Sequence, residues 1–356
     1  MIELLFLQNM KTAVVILNWN TADYLRRFLP GLLESCAGLD AEVVVADSAS
    51  TDGSREVLSE EFPGVRTIFL DGNYGFTGGY NRALSLIEAE YFVLINSDIE
   101  VPSGWLRPLV EWMDAHPGCG VCGPKLHALM PEGRSARFEY AGAAGGFIDR
   151  YGYPFCRGRV LKRTAMDEGQ YDSPCDVMWV SGACLVTRAS LWRELGGLDD
   201  RFFAHMEEID YCWRAQLIGW KVTVVPESVV YHIGGGTLPQ TSPFKLKLNY
   251  RNNLLLLEDN LAATIGRGAA RRRIFVRKVL DGCSAVAYLL TGKADCFKAV
   301  WDAHREYREL RRRPSAAGAD SHACRVQGLL PVRILLQALI RGDMIFNYLT
   351  RYEDSH

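Results

Sequence analysis

Asn96-Ser97-Asp98 closes an apolar run that opens at Tyr91, so an amide and an acid stand where a buried strand should end. Ligands of open α/β sheets bind beyond the carboxyl ends of strands. A carboxylate placed there is sited to hold a metal ion or a sugar. Three earlier apolar runs also end in polar residues: 12–17 at Asn18 and Asn20, 42–46 at Asp47, and 65–70 at Asn73. Polar tips on consecutive strand ends are what a nucleotide crevice requires. Glu207, Glu208 and Asp210 fall in the first turn or so of a helix that starts near His205. Acids are favoured there by the helix macrodipole alone. Asp210 and Arg214 are spaced for an i,i+4 ion pair. His232 ends a last short strand, just before Gly234-Gly235-Gly236.

The elements that must position these residues alternate strand and helix. Helical spacing is expected over 23–36, 54–62, 81–89, 105–115 and 188–195, the last closed by Gly196-Gly197. A glycine-dense loop over 71–81 runs into the third of these. Short strands are expected at 120–123, 221–225 and 229–232, and a strand broken at Ser181-Gly182 over 177–186. Residues 126–175 lack a long period and read as an irregular region with hairpins, a lid or acceptor-side loop. The pattern predicts a doubly wound, mostly parallel sheet. No G-x-G-x-x-G follows the first strand and no G-x-x-x-x-G-K-[ST] occurs, which argues against dinucleotide dehydrogenases and P-loop enzymes.

Charge is divided unevenly. Residues 262–356 hold 17 Lys and Arg against 9 Asp and Glu, a net of +8, while the rest of the 356-residue chain nets −10. A basic tail on an acidic front points to a membrane surface or polyanion as the tail's partner. Phe275, Val279, Cys283, Val286 and Leu290 share one helical stripe, and Phe297, Val300, Trp301, His304 and Tyr307 another. Such helices either lie on a membrane face or pack on the core or a second subunit. Residues 311–324 are the linker candidate. Ten cysteines without framework spacing suit a reduced, intracellular chain, and Cys119-Gly-Val-Cys122 reads as a strand with two buried thiols. Residues 1–8 do not make a convincing signal peptide. No uncharged run reaches the ~18 residues of a spanning helix.

Six stretches in this order, 14–20, 43–54, 73–81, 94–101, 179–184 and 202–220, resemble family-2 inverting glycosyltransferases of the GT-A fold. The rhamnosyltransferase-like bacterial branch is the most similar. The resemblance implies a catalytic domain over 1–260, with a nucleotide-sugar half near 11–125 and an acceptor half near 126–260. Residues 261–356 would form a C-terminal helical extension. It also implies roles. Asp47 would read the uracil or thymine edge, with Asn18 and Asn20 beside it. Asn73, Gly75, Gly78 and Asn81 would lie under the nucleotide. Asn96-Ser97-Asp98 takes the place of D-x-D, Asp98 binding Mg²⁺ or Mn²⁺ and Asn96 touching ribose or donor. His232 would be a further metal ligand. Glu208 would be the general base, with Glu207 and Asp210 around it and Trp179, Ser181, Gly182 and Arg214 on the acceptor side.

The implied partners are a dTDP- or UDP-sugar and a glycan or lipid-linked acceptor, on the cytoplasmic membrane face; no nucleic acid is expected, and a homodimer is possible. Two departures from the pattern stand out: Asn96 replaces the first acid of D-x-D, and the base is Glu rather than Asp. They leave room for a catalytically weakened sugar-binding scaffold as an alternative. A nucleotidyltransferase fits less well, because Asn18-Trp19-Asn20 stands where a glycine- and basic-rich triphosphate loop is needed.

Overall fold

A computed structural model describes residues 10–234, 242–311 and 326–354. Residues 1–8, Gly235-Gly236 and all but the first residue of the expected linker lie outside the described residues.

Strand β1 (Met10–Asn18) sits between β2 (Ala41–Asp47) and β4 (Ala89–Ile95), parallel to both. Its side chains alternate between two cores, Ala13 and Val15 on one face of the sheet, Val14 and Ile16 on the other. Burial on both faces is why the run is apolar without alternation. β3 (Arg66–Phe69) extends the sheet beyond β2. On the other side of β4 comes β13 (Cys184–Arg188), antiparallel, then β6 (Cys119–Met130) and β14 (Lys221–His232), parallel to each other. This mixed, mainly parallel sheet agrees with the expected α/β architecture. Parallel register sets Asn18 beside Asp47 at one edge. The two-residue strand β5 (Ile99–Glu100) pairs with the end of β14, setting His232 opposite Ile99, next to Asp98.

Four local expectations change. The helix α3 spans Gly75–Leu84, not 81–89, so the glycine-dense stretch is itself helical. Its glycines let it close on the sheet: a Cβ on Gly79 would lie 2.7 Å from Leu17 Cδ2. β6 is twelve residues long rather than four, and 221–232 is one strand with a bulge rather than two. Of 177–186, only Cys184 onward is regular strand; Trp179 makes an isolated bridge to Gly146.

That bridge ties in the region read as irregular, which carries a second, four-stranded sheet between residues 146 and 164. At Gly146 the Trp179 indole lies where a side chain would stand, 2.1 Å from a notional Cβ. Gly146→Ala should therefore lower stability by about 1–3 kcal/mol through overpacking. Thermal melting of the purified variant checks this, and an unchanged Tm would contradict the packing described.

The C-terminal part is helical. α7 (Pro243–Ile265) runs through residue 260 and packs on α6 (Glu207–Leu217), α8 (Arg267–Leu290) and α9 (Ala294–Leu310). Two shorter helices follow, α10 (Ile334–Arg341) and α11 (Ile345–Asp354). The face of α8 turned inward holds Ala270, Ile274, Arg277, Asp281 and Ala285. The stripe of Phe275, Val279, Cys283, Val286 and Leu290 faces out, so it does not pack on the core. The second stripe divides: Val300 and Tyr307 are buried, while Trp301 is exposed.

Candidate active site

A cavity of 680 Å³ opens at the carboxyl edge of the sheet. It brings together Asn73, Gly75, Asn96, Asp98, Trp179, Ser181, Gly182, Glu207, Glu208 and His232 from both halves of the sequence.

The two glutamates enter on the first turn of α6. The chain before them is strained: Phe203, His205 and Met206 have φ of 62°, 70° and 74°, a region non-glycine residues seldom occupy. The strain is held from outside. Asn252 Nδ2 on α7 donates to the carbonyls of Phe202, Ala204 and His205 at 2.7–2.9 Å, and Arg251 Nη2 to those of Arg201 and Phe202. On the other side, Phe203 O accepts the amides of Phe76 and Thr77 at the start of α3. Gly75 has no room for a side chain there, its notional Cβ lying 2.5 Å from the Phe203 ring. Glu207 and Glu208 therefore follow a loop gripped by two helices. Asn252→Leu should remove the grip, lowering stability by about 1–3 kcal/mol and turnover more than donor affinity. Melting curves and titration of nucleotide would show it; a variant with wild-type turnover would contradict the role.

One oxygen of each glutamate, Oε2, is buried without a hydrogen-bond partner. Burial raises Glu208 to about 7. Glu207 is raised well above the usual carboxylate range, first by burial and then by the charge of Glu208. A carboxylate pair whose members are pushed apart in this way can hold one proton and accept another.

Across the cavity, His232 Nε2 lies 3.1 Å from Asp98 Oδ1, and its Nδ1 lies 3.4 Å from Glu139 Oε2. All three side chains are buried. Burial works against a charged ring, but the two carboxylates outweigh it and raise His232 to about 10. The cluster thus makes the ring itself the cation, and a metal ion held at Nε2 would have to displace its proton. Glu139 directly follows β7 (Gly133–Phe138), and its Oε2 also accepts the amide of Ala141. Among the described residues no group of three or more His, Cys, Asp or Glu converges as metal ligands. The protein offers two donors, Asp98 and His232, with Glu139 on the far side of the ring. A divalent ion fits here if a ligand's oxygens complete its shell.

Some expected site residues are elsewhere. Asp210 does not line the cavity: its Oδ2 is 2.7 Å from Arg214 Nε and its Oδ1 accepts from Asn260 Nδ2 at 2.8 Å. Arg214 likewise caps the carbonyls of Leu195 and Gly197, away from any acceptor. The i,i+4 spacing is that of a structural pair, and neither member lines the cavity. Asn81 links α3 to Leu198 and Asp200, and Gly78 is packed under Tyr74; neither lines the cavity. Asn18 Nδ2 donates to Asp47 Oδ2 at 2.8 Å, while Asp47 Oδ1 accepts from Ser50 N and Arg55 Nε. Both are fully buried, beside the cavity-lining Ser48. Asn20, at φ 54°, accepts from Thr51 N and braces the same loop.

Among the lining residues that the sequence does not mark are Tyr140, Arg159, His205 and Lys245. Arg159 stacks over Tyr140 at 4.6 Å, and burial pushes His205 down to about 4, so it stays neutral. None sits in a pattern that marks it before the fold is known.

Residues 13–160 match the model described as glycosyl transferase family 2. The chain is 26% identical, over 260 residues, to an N-acetylglucosaminyl-diphospho-decaprenol L-rhamnosyltransferase of Mycobacterium tuberculosis, covering 69% of this chain and 83% of that one. It is 23% identical over 263 residues to the low-salt glycan biosynthesis hexosyltransferase Agl10 of Haloferax volcanii, covering 72% and 78%. Among solved structures it resembles GalNAc-T7 with UDP, GalNAc and Mn²⁺ (TM-score 0.53, 18% identity, 70% of this chain and 48% of that one). It also resembles the mannosyltransferase PcManGT of Pyrobaculum calidifontis with GDP-Man and Mn²⁺ (TM-score 0.51, 16% identity, 86% and 77%). Residues 13–160 thus carry the match to glycosyl transferase family 2, and the likeness to the solved glycosyltransferases is one of fold.

Proposed function

We propose that this glycosyltransferase moves a sugar from a nucleotide-diphosphate donor to a hydroxyl of a lipid-linked or polysaccharide acceptor, inverting the anomeric carbon. The observation that carries the reading is one cavity with two kinds of wall. Glu207 and Glu208, each with an unpartnered oxygen, form one, and the Asp98–His232 pair forms the other.

In this reading Glu208 is the general base. Its carboxylate, raised to about 7 by burial, is matched to a hydroxyl proton near neutral pH. It takes that proton as the hydroxyl attacks from the face opposite the leaving diphosphate. Glu207 stays protonated beside it and can donate a hydrogen bond to the acceptor. Trp179 offers an apolar wall, and Ser181 and Gly182 leave room for the acceptor. A single displacement needs no second nucleophilic carboxylate. Asp98 and His232 would hold Mg²⁺ or Mn²⁺, which supplies charge neutralisation at the leaving diphosphate. Glu139, against Nδ1 of His232, fixes which ring nitrogen faces Asp98. Asn73, Gly75 and Asn96 line the donor end, and Asp47, held by Asn18 and Arg55, supports the nucleobase side. Rhamnose as the sugar is favoured by the mycobacterial relative, whose name also gives a diphospho-lipid acceptor.

The pH profile follows from the sign of the shift. Glu208 is protonated and inactive as a base below about 7 and ionised above it. Turnover should therefore rise through neutrality, about tenfold for each unit below 7, and then level off. The full chain is assayed with donor and Mn²⁺ at each pH, and a profile flat from about 5.5 to 8 would contradict the assignment.

A further inference from the structure

We infer that the outward face of α8 docks on an anionic lipid surface. An amphipathic surface helix normally turns its apolar stripe inward. α8 turns Ala270, Ile274 and Ala285 inward but leaves a second, longer apolar stripe outside. Its buried side carries Arg277 and Asp281, paired at 2.7 Å, and Arg277 also reaches Asn253 of α7. Its solvent side carries Phe275, 67% exposed, then Val279, Cys283, Val286 and Leu290, 82% exposed. At 1.5 Å per residue that stripe is about 22 Å long. Trp301, on the adjoining α9, is 66% exposed. Tryptophan is a residue of membrane interfaces.

Charge selects the occupant. Exposed Arg267, Arg271 and Arg272 stand at one end of the stripe, and exposed Lys293 and Lys298 lie past the other, with Asp295 between them. The acid within α8 itself, Asp281, is buried. A second copy of the chain fits poorly. Two such faces paired side by side bring arginines to arginines, and paired head to tail they bring arginines to lysines. Headgroups of anionic lipid complement both ends at once. Among the described residues no helix is long and apolar enough to cross a membrane, so α8 would lie in the plane of the surface. The charge division of the whole chain favours one orientation, the +8 tail toward the lipid and the −10 remainder away from it. The inference rests on α8 and not on the transfer reading, so either can fail without the other.

The test is flotation of the full chain with vesicles of phosphatidylglycerol in phosphatidylcholine, against phosphatidylcholine alone. The protein should float with the anionic vesicles and several-fold less with neutral ones. Raising salt from about 0.1 M to about 0.5 M should release much of it. The double variant Phe275→Ser with Leu290→Ser loses two exposed apolar anchors, so its partitioning should fall roughly tenfold or more. Its Tm should stay within error of the wild type, because neither side chain packs on the core. Absence of flotation would overturn the inference, as would flotation indifferent to lipid charge, salt and the two substitutions. A dimer in light scattering that the double variant dissociates, without lipid binding, would assign the face to a second copy and also overturn it.

Discussion

Glu208→Gln should lower turnover by about a thousandfold while leaving nucleotide-sugar affinity within a few-fold of wild type. The size is that of a lost general base, about 4 kcal/mol of barrier at 1.36 kcal/mol per tenfold. The substitution keeps the shape of a side chain that lines the cavity. It removes the proton acceptor and nothing that the donor end requires. It also removes the charge that raises Glu207, so the neighbouring carboxyl should ionise at lower pH in the variant. Steady-state kinetics with saturating donor, alongside calorimetric titration of the donor, separate the two effects. A variant with unchanged turnover would show that the base lies elsewhere, and Glu207 would be the next group to replace.

Asp98→Ala should lose metal-dependent donor binding, by two orders of magnitude or more. Among the described residues Asp98 and His232 are the two donors at this point, so deleting one leaves a single protein donor for the ion. His232→Ala should act in the same direction. Glu139→Gln should act more weakly, about ten- to a hundredfold in metal affinity, because it keeps the ring in place but weakens its charge partner. The readout is titration of Mn²⁺ in the presence of nucleoside diphosphate, which requires no acceptor. Equal affinity in wild type and Asp98→Ala would overturn the metal assignment.

What could be read before the fold was known followed from strong local signals. β1, β2 and β4 are short apolar runs bounded by polar tips, which is the length and setting of strands buried on both faces. Asp98, Glu207, Glu208 and His232 were identifiable because they stand at strand and helix ends, where polar residues interrupt apolar ones. The errors have physical causes. Gly75, Gly78 and Gly79 argue against helix by propensity, yet α3 needs them to approach Leu17 and Phe203. Gly123-Pro124 looks like the end of a strand, yet β6 continues through it. Asp210 shares a helical turn with the catalytic candidates, and only packing on α7 shows that it faces Asn260. Glu139 had no local signal, because its partner His232 lies far along the chain on β14. The same holds for Asn252, whose grip on the 202–205 loop depends on how α7 crosses it.

Glu207 and Glu208 also show where stability and function diverge. Two carboxyl groups raised by burial cost folding free energy when ionised, so the free protein should lose stability as pH rises from the ordinary carboxylate range up to their raised values, and no further above them. An apolar pair would suit the fold better, which is the usual mark of a site kept for chemistry.

The central claim is metal-assisted transfer from a nucleotide sugar, and donor hydrolysis tests it most directly, with water standing in for the acceptor. The full chain is incubated with a panel of deoxythymidine- and uridine-diphosphate sugars, with Mn²⁺ or with chelator. Release of nucleoside diphosphate is followed, and the first sugar anomer to form is identified by proton NMR. The account predicts release from at least one donor, dependent on Mn²⁺, abolished by Asp98→Ala, with the released anomer inverted. Release that ignores chelator, or a first anomer of retained configuration, would contradict it.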